Sequence, residues 1–328
     1  MKVIIPVLES SIPASVVGVM DMLRHARSFY CHLHPENPDL EIFDVALMSL
    51  SNEKTVYASG FPLICQFTLA EFPIADIVIV PALVGDLSAI IQENQQFIEW
   101  LKRQYGAGTA LASTCTGSFI LAATGILNGK ESTTSWFSAA AFRQMFPEVI
   151  LLDEKIIVDN GNIITGGATL SFMNLCIYLT EKYFGRELGN YCAKMFLVDK
   201  GKSSQQSYSI FSLQKVHKDE EIRKVQEWLE KNPEEKLVVS VLAQKFGIGE
   251  RNLIRRFKAA TGNTLSDYVH RVKVEKAKQL LEEGKENIKE ITFRSGYDDP
   301  EHFRGIFKRH TGLTLAGYRK MFEFNLTN

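Results

Sequence analysis

LVVSVLAQKFGIGERNLIRRFKAATG, residues 237–262, and IKEITFRSGYDDPEHFRGIFKRHTG, residues 288–312, carry one pattern twice: a short apolar helix, a glycine-containing turn, and a second helix of basic residues set on buried aromatics. In the first copy Val238, Val241, Leu242 and Phe246 stand at helical spacing before Gly247, and Leu253 and Phe257, four apart, face inward. Arg251, Asn252, Arg255 and Lys258 are left on the opposite side of the second helix, the side that a helix lying in a DNA major groove presents. In the second copy Ile288, Ile291 and Phe293 precede Gly296, Pro300 suits the first turn of the next helix, and Phe303 and Phe307 repeat the inward pair. Arg304, Lys308 and Arg309 supply its positive face. One amphipathic helix with a basic face is common in any fold. Two such units in order point to a tandem helix-turn-helix protein that reads DNA.

Between the copies, SDYVHRVKVEKAKQLLEEG (266–284) reads as one amphipathic helix, with Tyr268, Val269, Val272, Ala277, Leu280 and Leu281 apolar and Gly284 at its end. A single rigid helix would fix the separation of the two readers. Held about 34 Å apart, two recognition helices meet one face of the duplex in successive major grooves.

Over roughly its last 90 residues the chain resembles the DNA-binding domain of the AraC/XylS family of transcription regulators. The residues that carry the resemblance are Leu242-Ala243, Leu253-x-Arg255-x-Phe257, Gly262, Tyr268, Ala277, Leu280-Leu281, Ile291, Gly296-Tyr297, Phe303, Phe307, Gly312 and Tyr318-Arg319. Thr292, Leu265 and Leu315 depart from the family pattern, and Gly249 stands where a Ser often caps the first recognition helix. Gly305 stands where the family tends to have Arg, which removes a base contact and about 1 kcal/mol of helix propensity. The first unit is therefore expected to carry more of the sequence reading, with Arg304 and Lys308 serving the second.

The formal charge of −1 over 328 residues hides an uneven division. Residues 1–236 hold 20 Lys and Arg against 27 Asp and Glu, whereas residues 237–328 hold 17 against 11. An acidic front half joined to a basic back half suits a sensor attached to a DNA binder, because neutralised phosphates supply much of the affinity. Five Cys without paired spacing argue for a reducing compartment. The apolar run Val3 to Leu8 is too brief for a signal segment, and no stretch approaches the roughly 18 apolar residues of a membrane span, so a cytoplasmic protein is expected.

The front of the chain alternates apolar strands (Lys2–Leu8, Ile42–Leu50, Asp76–Pro81, Thr109–Ser113) with helices (Ala14–Arg27, Ser88–Arg103, Ser118–Thr124), the pattern of a mostly parallel α/β sandwich. A helix to Met145, short strands near 150–152, 156–158 and 162–165, and helices Leu170–Phe184 and Glu187–Val198 follow. The polar stretch 199–218, with KGKSSQQS near its start, reads as a linker. The expected organisation is thus a sensor and dimerisation domain over 1–198, a linker over 199–218, and a DNA-binding domain over 219–328.

The junction ASTCTGSFILAATGILNG (112–129) runs a strand through Cys115-Thr116-Gly117 into a helix. A thiol at such a turn sits at the carboxyl end of the sheet, where the helix start offers backbone N–H groups to an anion. This stretch resembles the PfpI/ThiJ-like branch of the class I glutamine amidotransferase superfamily, in the form found at the front of GlxA-type AraC regulators. The resemblance covers roughly residues 2–198 and rests on the Val78 to Pro81 strand, Ser113-x-Cys115-Thr116-Gly117, Leu121-Ala122, Gly125-x-Leu127-x-Gly129, Thr133-Thr134-x-Trp136, Thr165-x-Gly167 and Phe184-Gly185-Arg186. It implies a flavodoxin-like, class I glutamine amidotransferase-like α/β sandwich followed by an all-α tandem helix-turn-helix domain.

Enzymatic relatives in this superfamily set a base beside the thiol, commonly a His just before the Trp, but here that position is Ser135. His25, His32 and His34 belong to the first helix and the loop after it, and no carboxylate follows Glu9 in SSIPASVV. No catalytic residue is therefore assigned, and Cys115, Thr116, Gly117 and Trp136 are expected to bind a ligand. Phe137 could join them by stacking on a cation, or fill core beneath the sheet edge. Cys31, His32 and His34 have metal-ligand types without a distant partner, so no metal is expected, and no cofactor either.

The reading is a regulator whose front domain dimerises and senses a small effector while its back domain binds double-stranded promoter DNA, with activation through RNA polymerase implied by the resemblance. The alternative is a cysteine-dependent amidase, protease or glyoxalase-like enzyme with an appended DNA-binding domain.

Overall fold

A computed structural model describes residues 1–36, 42–71, 74–211, 215 and 217–323. The chain divides after Gln205 into two units, Met1–Gln205 and Gln206–Asn328. In order, the first contains β1 (Lys2–Val7), α1 (Pro13–Leu33), β2 (Asp44–Ser49), β3 (Thr55–Ala58), β4 (Phe61–Ile64), β5 (Phe67–Thr68), β6 (Ile77–Val80), α2 (Leu87–Glu93), α3 (Gln95–Gly106), β7 (Ala110–Thr114), α4 (Gly117–Ala123), β8 (Glu131–Ser132), α5 (Ala139–Met145), β9 (Ile150–Leu151), β10 (Ile157–Asp159), β11 (Ile163–Gly166), α6 (Phe172–Phe184) and α7 (Arg186–Met195).

Seven strands form one sheet in the order β10-β11-β7-β6-β1-β2-β5, parallel except where β10 runs against β11. Strands covered on both faces read as continuous apolar runs, and β1 shows why. Val3, Ile5 and Val7 enter the core shared with α1, α6 and α7, while Ile4 enters the opposite core with α2 to α5. The chain reverses direction of growth at β1, which lies between β2 and β6, so the carboxyl ends of the central strands open at a topological switch point.

Several elements differ from the sequence reading. The helix expected over Ser88–Arg103 is two helices, parted at Asn94, whose side chain and backbone N–H both donate to the Ile90 carbonyl and close α2. The first helix continues past Arg27 to Leu33 and takes in Cys31 and His32. Leu170 lies in a 3-10 turn ahead of α6. The hairpin β3–β4 went unread because each strand is four residues long and Pro62 argues against a strand interior.

The stretch expected as a linker is shared between the units. Ser203 accepts a hydrogen bond from the Ile156 N–H and Gln205 donates to Glu154, both inside the first unit. From Gln206 the chain lies on the second unit, where Gln206 Nε2 donates to the Arg309 carbonyl at 2.6 Å and Phe211 packs edge-on against Tyr268. Residues 212–214 and 216 of that stretch, and 324–328 of the expected DNA-binding domain, lie outside the described residues.

The described residues of the second unit form α8 (Glu220–Lys231), α9 (Val239–Lys245), α10 (Glu250–Thr261), α11 (Leu265–Glu283), α12 (Ile288–Arg294), α13 (Pro300–Thr311) and α14 (Leu315–Phe322). Two cores divide them: α8 to α10 pack on the first half of α11, and α12 to α14 pack on its second half. The repeat extends to single hydrogen bonds. Thr261 and Thr311 each donate to the carbonyl four residues back, Phe257 or Phe307, at 2.8 Å, and Thr264 and Thr314 cap the helices that follow. Of the residues read at helical spacing before Gly247, Val238 and Val241 are exposed and Leu242 is buried, with Ala243 and Ile248 beside it in the core. Phe293 is likewise half exposed.

Gly305 lies inside α13 on its solvent side, and a Cβ built there would meet nothing within 4 Å. Gly305→Ala is therefore expected to stabilise the second unit by about 1 kcal/mol through helix propensity and a less flexible unfolded chain. Denaturant unfolding of the full chain, followed through Trp228, the only tryptophan after Gln206, measures this. An unchanged or lowered midpoint would show that the backbone at Gly305 is constrained in a way the helix does not reveal.

Candidate functional site

On α10 Leu253 and Phe257 are fully buried, which turns Arg251, Asn252, Arg255 and Lys258 outward together. Asn252 Oδ1 accepts from Arg255 Nη2 at 2.9 Å and so steers that guanidinium along the exposed face. Arg256 points the other way. Its Nε and Nη2 grip Asp219 at 2.8 and 2.5 Å, and this guanidinium holds the Asp219 carboxyl below the usual carboxylate range. Asp219 also caps α8 by accepting from the Ile222 N–H, so the pair moors α10 to the body of its own core. Ile254, absent from the sequence reading, is 48% exposed between Arg251 and Lys258. Its helical position carried the signal: it follows the buried Leu253 and falls on the basic face.

On α13 Phe303 and Phe307 are buried and Arg304, Lys308 and Arg309 are exposed. Arg304 pairs with Glu301 one turn earlier, whereas Asp299 caps the helix by accepting from the Glu301 N–H at 2.9 Å. The first recognition helix begins at Gly249 without any side-chain cap. On the inner side of α13 burial lowers His310 to about 4, so this imidazole adds no charge there at neutral pH.

In the first unit, β7 delivers Cys115 at φ 51°, a left-handed conformation that a non-glycine residue holds only when its surroundings impose it. Those surroundings are specific. The Cys115 N–H donates to Gly166, its carbonyl accepts from the hydroxyls of Ser118 and Thr134, and its Sγ lies 3.5 Å from Thr169 Oγ1. Gly117 passes so close to β6 that a Cβ would fall 2.4 Å from the Pro81 carbonyl oxygen. Thr116 Oγ1 exchanges hydrogen bonds of 2.7 Å with both the N–H and the carbonyl of Leu83. Thr116 and Gly117 thus fasten the elbow to the strand beside it. Trp136 is half-buried, and Phe137, which could have filled core, is 77% exposed.

Sequence reasoning missed Gln205, which sat unmarked in a polar stretch. It is 3% exposed. Its Nε2 donates to the carbonyls of Thr134, Asp153 and Lys155 at 2.7, 2.8 and 3.2 Å, and its Oε1 accepts from the N–H groups of Ala168 and Trp136 at 3.2 and 3.4 Å. One side chain thereby ties together the two loops, 133–136 and 166–169, that flank the cysteine. His25 pairs with Asp21 on α1, and His34 with Glu36 just beyond it, so neither is joined to the elbow.

Residues 2–182 match the DJ-1/PfpI family model. The chain belongs to the DJ-1/PfpI family. Residues 242–321 match a helix-turn-helix domain model of the AraC type, so this member of the family carries a helical DNA-binding domain behind its α/β sandwich, the GlxA-type order. The chain is similar to the HTH-type transcriptional regulator GbdR of Pseudomonas aeruginosa, 24% identical over 274 residues that cover 83% of this chain and 74% of that one. It is also similar to an isonitrile hydratase of Pseudomonas putida, 28% identical over 129 residues, 39% of this chain and 54% of that one. A putative transcriptional regulator from Vibrio parahaemolyticus shares the fold at a TM-score of 0.53 and 19% identity, over 60% of this chain and 98% of that one.

Within the family fold, Gln205→Ala would leave buried carbonyls and N–H groups without partners around Cys115. We expect a loss of about 2 to 4 kcal/mol in the first unit, read from denaturant unfolding of the full chain by near-UV dichroism. A change below about 0.5 kcal/mol would mean that water or a neighbour replaces the amide without cost.

Proposed function

We propose that this protein is a cytoplasmic, sequence-specific DNA-binding transcription regulator, homodimeric through its α/β unit and controlled by a small effector bound there. The observation that carries the reading is the repeated recognition helix, inward Phe and Leu with outward Arg and Lys, on two cores sharing α11. In this reading Arg251 and Arg255 contact base edges, Asn252 orients Arg255, Ile254 meets a thymine methyl, and Lys258, Arg304 and Lys308 neutralise phosphate. Activation by contact with RNA polymerase follows the AraC resemblance.

Replacing Arg251 or Arg255 by Ala is expected to cost about 1 to 3 kcal/mol on the cognate site and to relax base preference, whereas Lys258→Ala should weaken cognate and random duplexes alike and lower the salt slope by about 1. Fluorescence anisotropy on a site selected from a random duplex pool, at several salt concentrations, measures both. Equal weakening of cognate and random DNA by the Arg variants would remove α10 from the groove.

We place the effector at the elbow formed by Cys115, Thr116, Gly117 and Trp136. Binding rather than catalysis is supported by Ser135 at the position where enzymatic relatives hold a base, and by the Thr169 hydroxyl beside the thiol, which takes no proton near neutral pH. Cys115→Ser is accordingly expected to keep the fold and transcriptional regulation. A promoter-reporter assay of that variant beside turnover assays of the parent protein on amides, peptides, 2-oxoaldehydes and isonitriles checks this. Turnover by the parent protein that vanishes in Cys115→Ser would make the protein an enzyme with an appended DNA-binding domain.

A further inference from the structure

Lys273 of α11 is 4% exposed, an unusual place for an ammonium group. It lies where the helix passes from the first core to the second, between Val272 and Val274. Its Nζ donates to the Glu235 carbonyl, in the turn between α8 and α9, and to the Gly296 carbonyl, in the turn between α12 and α13, each at 3.0 Å. The same ammonium lies 5.0 Å from the centroid of the Tyr297 ring, a cation–π distance. The first of these turns leads from α8 into the first helix-turn-helix unit, and the second is the turn inside the second unit. The turns also touch directly: a Cβ on Gly296 would lie 2.5 Å from Lys273 Nζ and 2.7 Å from the carbonyl oxygens of Pro233 and Glu234. Lys236 and Asp298 pair across the same seam, but both are largely exposed, and such a pair contributes little. Burial lowers the Lys273 ammonium from its ordinary range, and the carboxylates of Glu234, Asp298 and Glu235 oppose that shift.

We propose that Lys273 is the positioning residue that fixes the angle between the two recognition helices, and so sets the half-site spacing that the protein reads. The proposal rests on the DNA-binding function above. A helix shared by two cores sets their distance, but rotation and bending about it are restrained only by contacts across the seam. Among the described residues His270 and Asp267 also meet Arg309 and His310 of α13, but at 3.4 and 3.9 Å, whereas the Lys273 ammonium is buried and bonds both turns at 3.0 Å. Two reading units held in one fixed geometry bind a duplex as a single ligand, and loosening one against the other lowers their effective concentration at the second half-site.

The test uses the full-length protein and a duplex selected by it from a random-sequence pool, together with versions of that duplex carrying one base pair inserted or deleted between the half-sites. One base pair moves a half-site by about 3.4 Å and turns it by about 35°. The unsubstituted protein is expected to lose about 100-fold in affinity on the altered duplexes. Lys273→Met, which keeps the apolar stem and removes the ammonium, is expected to bind the selected duplex about tenfold more weakly and to lose less than about tenfold further on the altered ones. A folded Lys273→Met protein with unchanged affinity overturns the proposal, and so does one that binds more weakly but keeps the full spacing penalty. Should Lys273→Met fail to fold by circular dichroism, Lys273→Gln, too short to reach both carbonyls, carries the same comparison. Failure of both to fold makes Lys273 a core residue and overturns the positioning role. If the unsubstituted protein selects no sequence, the DNA-binding function fails, independently of Lys273.

Discussion

The second unit depends on one helix belonging to two hydrophobic cores. Leu265, Tyr268, Val269 and Val272 of α11 pack with α8 to α10; Val274, Ala277, Leu280 and Leu281 pack with α12 to α14. Neither set of short helices encloses a core by itself, because helices of 7 and 12 residues offer too little apolar face. Each set borrows half of α11. Buried tyrosines anchor the rod at both ends: Tyr268 Oη donates to Glu230 at 2.7 Å and accepts from Gln226, and Tyr318 Oη donates to Glu282 at 2.8 Å. Removing α11 would dissolve both cores at once, which explains why the recognition helices cannot be considered apart from it.

In the first unit the corresponding constraint is close approach at the end of β7. A parallel sheet brings β6 and β7 side by side, and only a residue without a Cβ passes under the Pro81 carbonyl at position 117. The chain must turn sharply one residue earlier, at Cys115, and the strained backbone there is held by Gly166, Thr134 and Ser118. Gln205 fastens the loops around it. Burial pushes Cys65 and Cys192 up to about 11 and Cys176 higher still, so they behave as apolar filling of the core.

The last residues of the first unit and the first of the second are both ordered by side-chain hydrogen bonds. Gln205 is seated in the loops beside Cys115, and its neighbour Gln206 holds the carbonyl of Arg309 on the second recognition helix. Consecutive residues are thus each held by hydrogen bonds inside their own unit.

The fold was legible wherever burial follows a local period. The paired Leu253 and Phe257, the paired Phe303 and Phe307, and the apolar runs of β1, β6 and β7 are marked because a helix or strand repeats its inward face within a few residues. The strand-Cys-helix junction was legible for the same reason, since its strand and its helix are adjacent in the chain. Val238 and Val241 misled because apolar spacing marks a face without stating what covers it. Asn94 broke an apparently continuous helix because a side-chain bond to a carbonyl competes with the next turn. Gln205 and Lys273 left no signature at all. Their partners lie 37 to 71 residues away for the amide and 23 and 38 for the ammonium. The sequence by itself determined which segments become recognition helices and which residue turns the elbow. Only the tertiary structure decided which polar side chains are buried between segments, because a buried hydrogen bond is satisfied by atoms brought together through folding and not by neighbours in the chain.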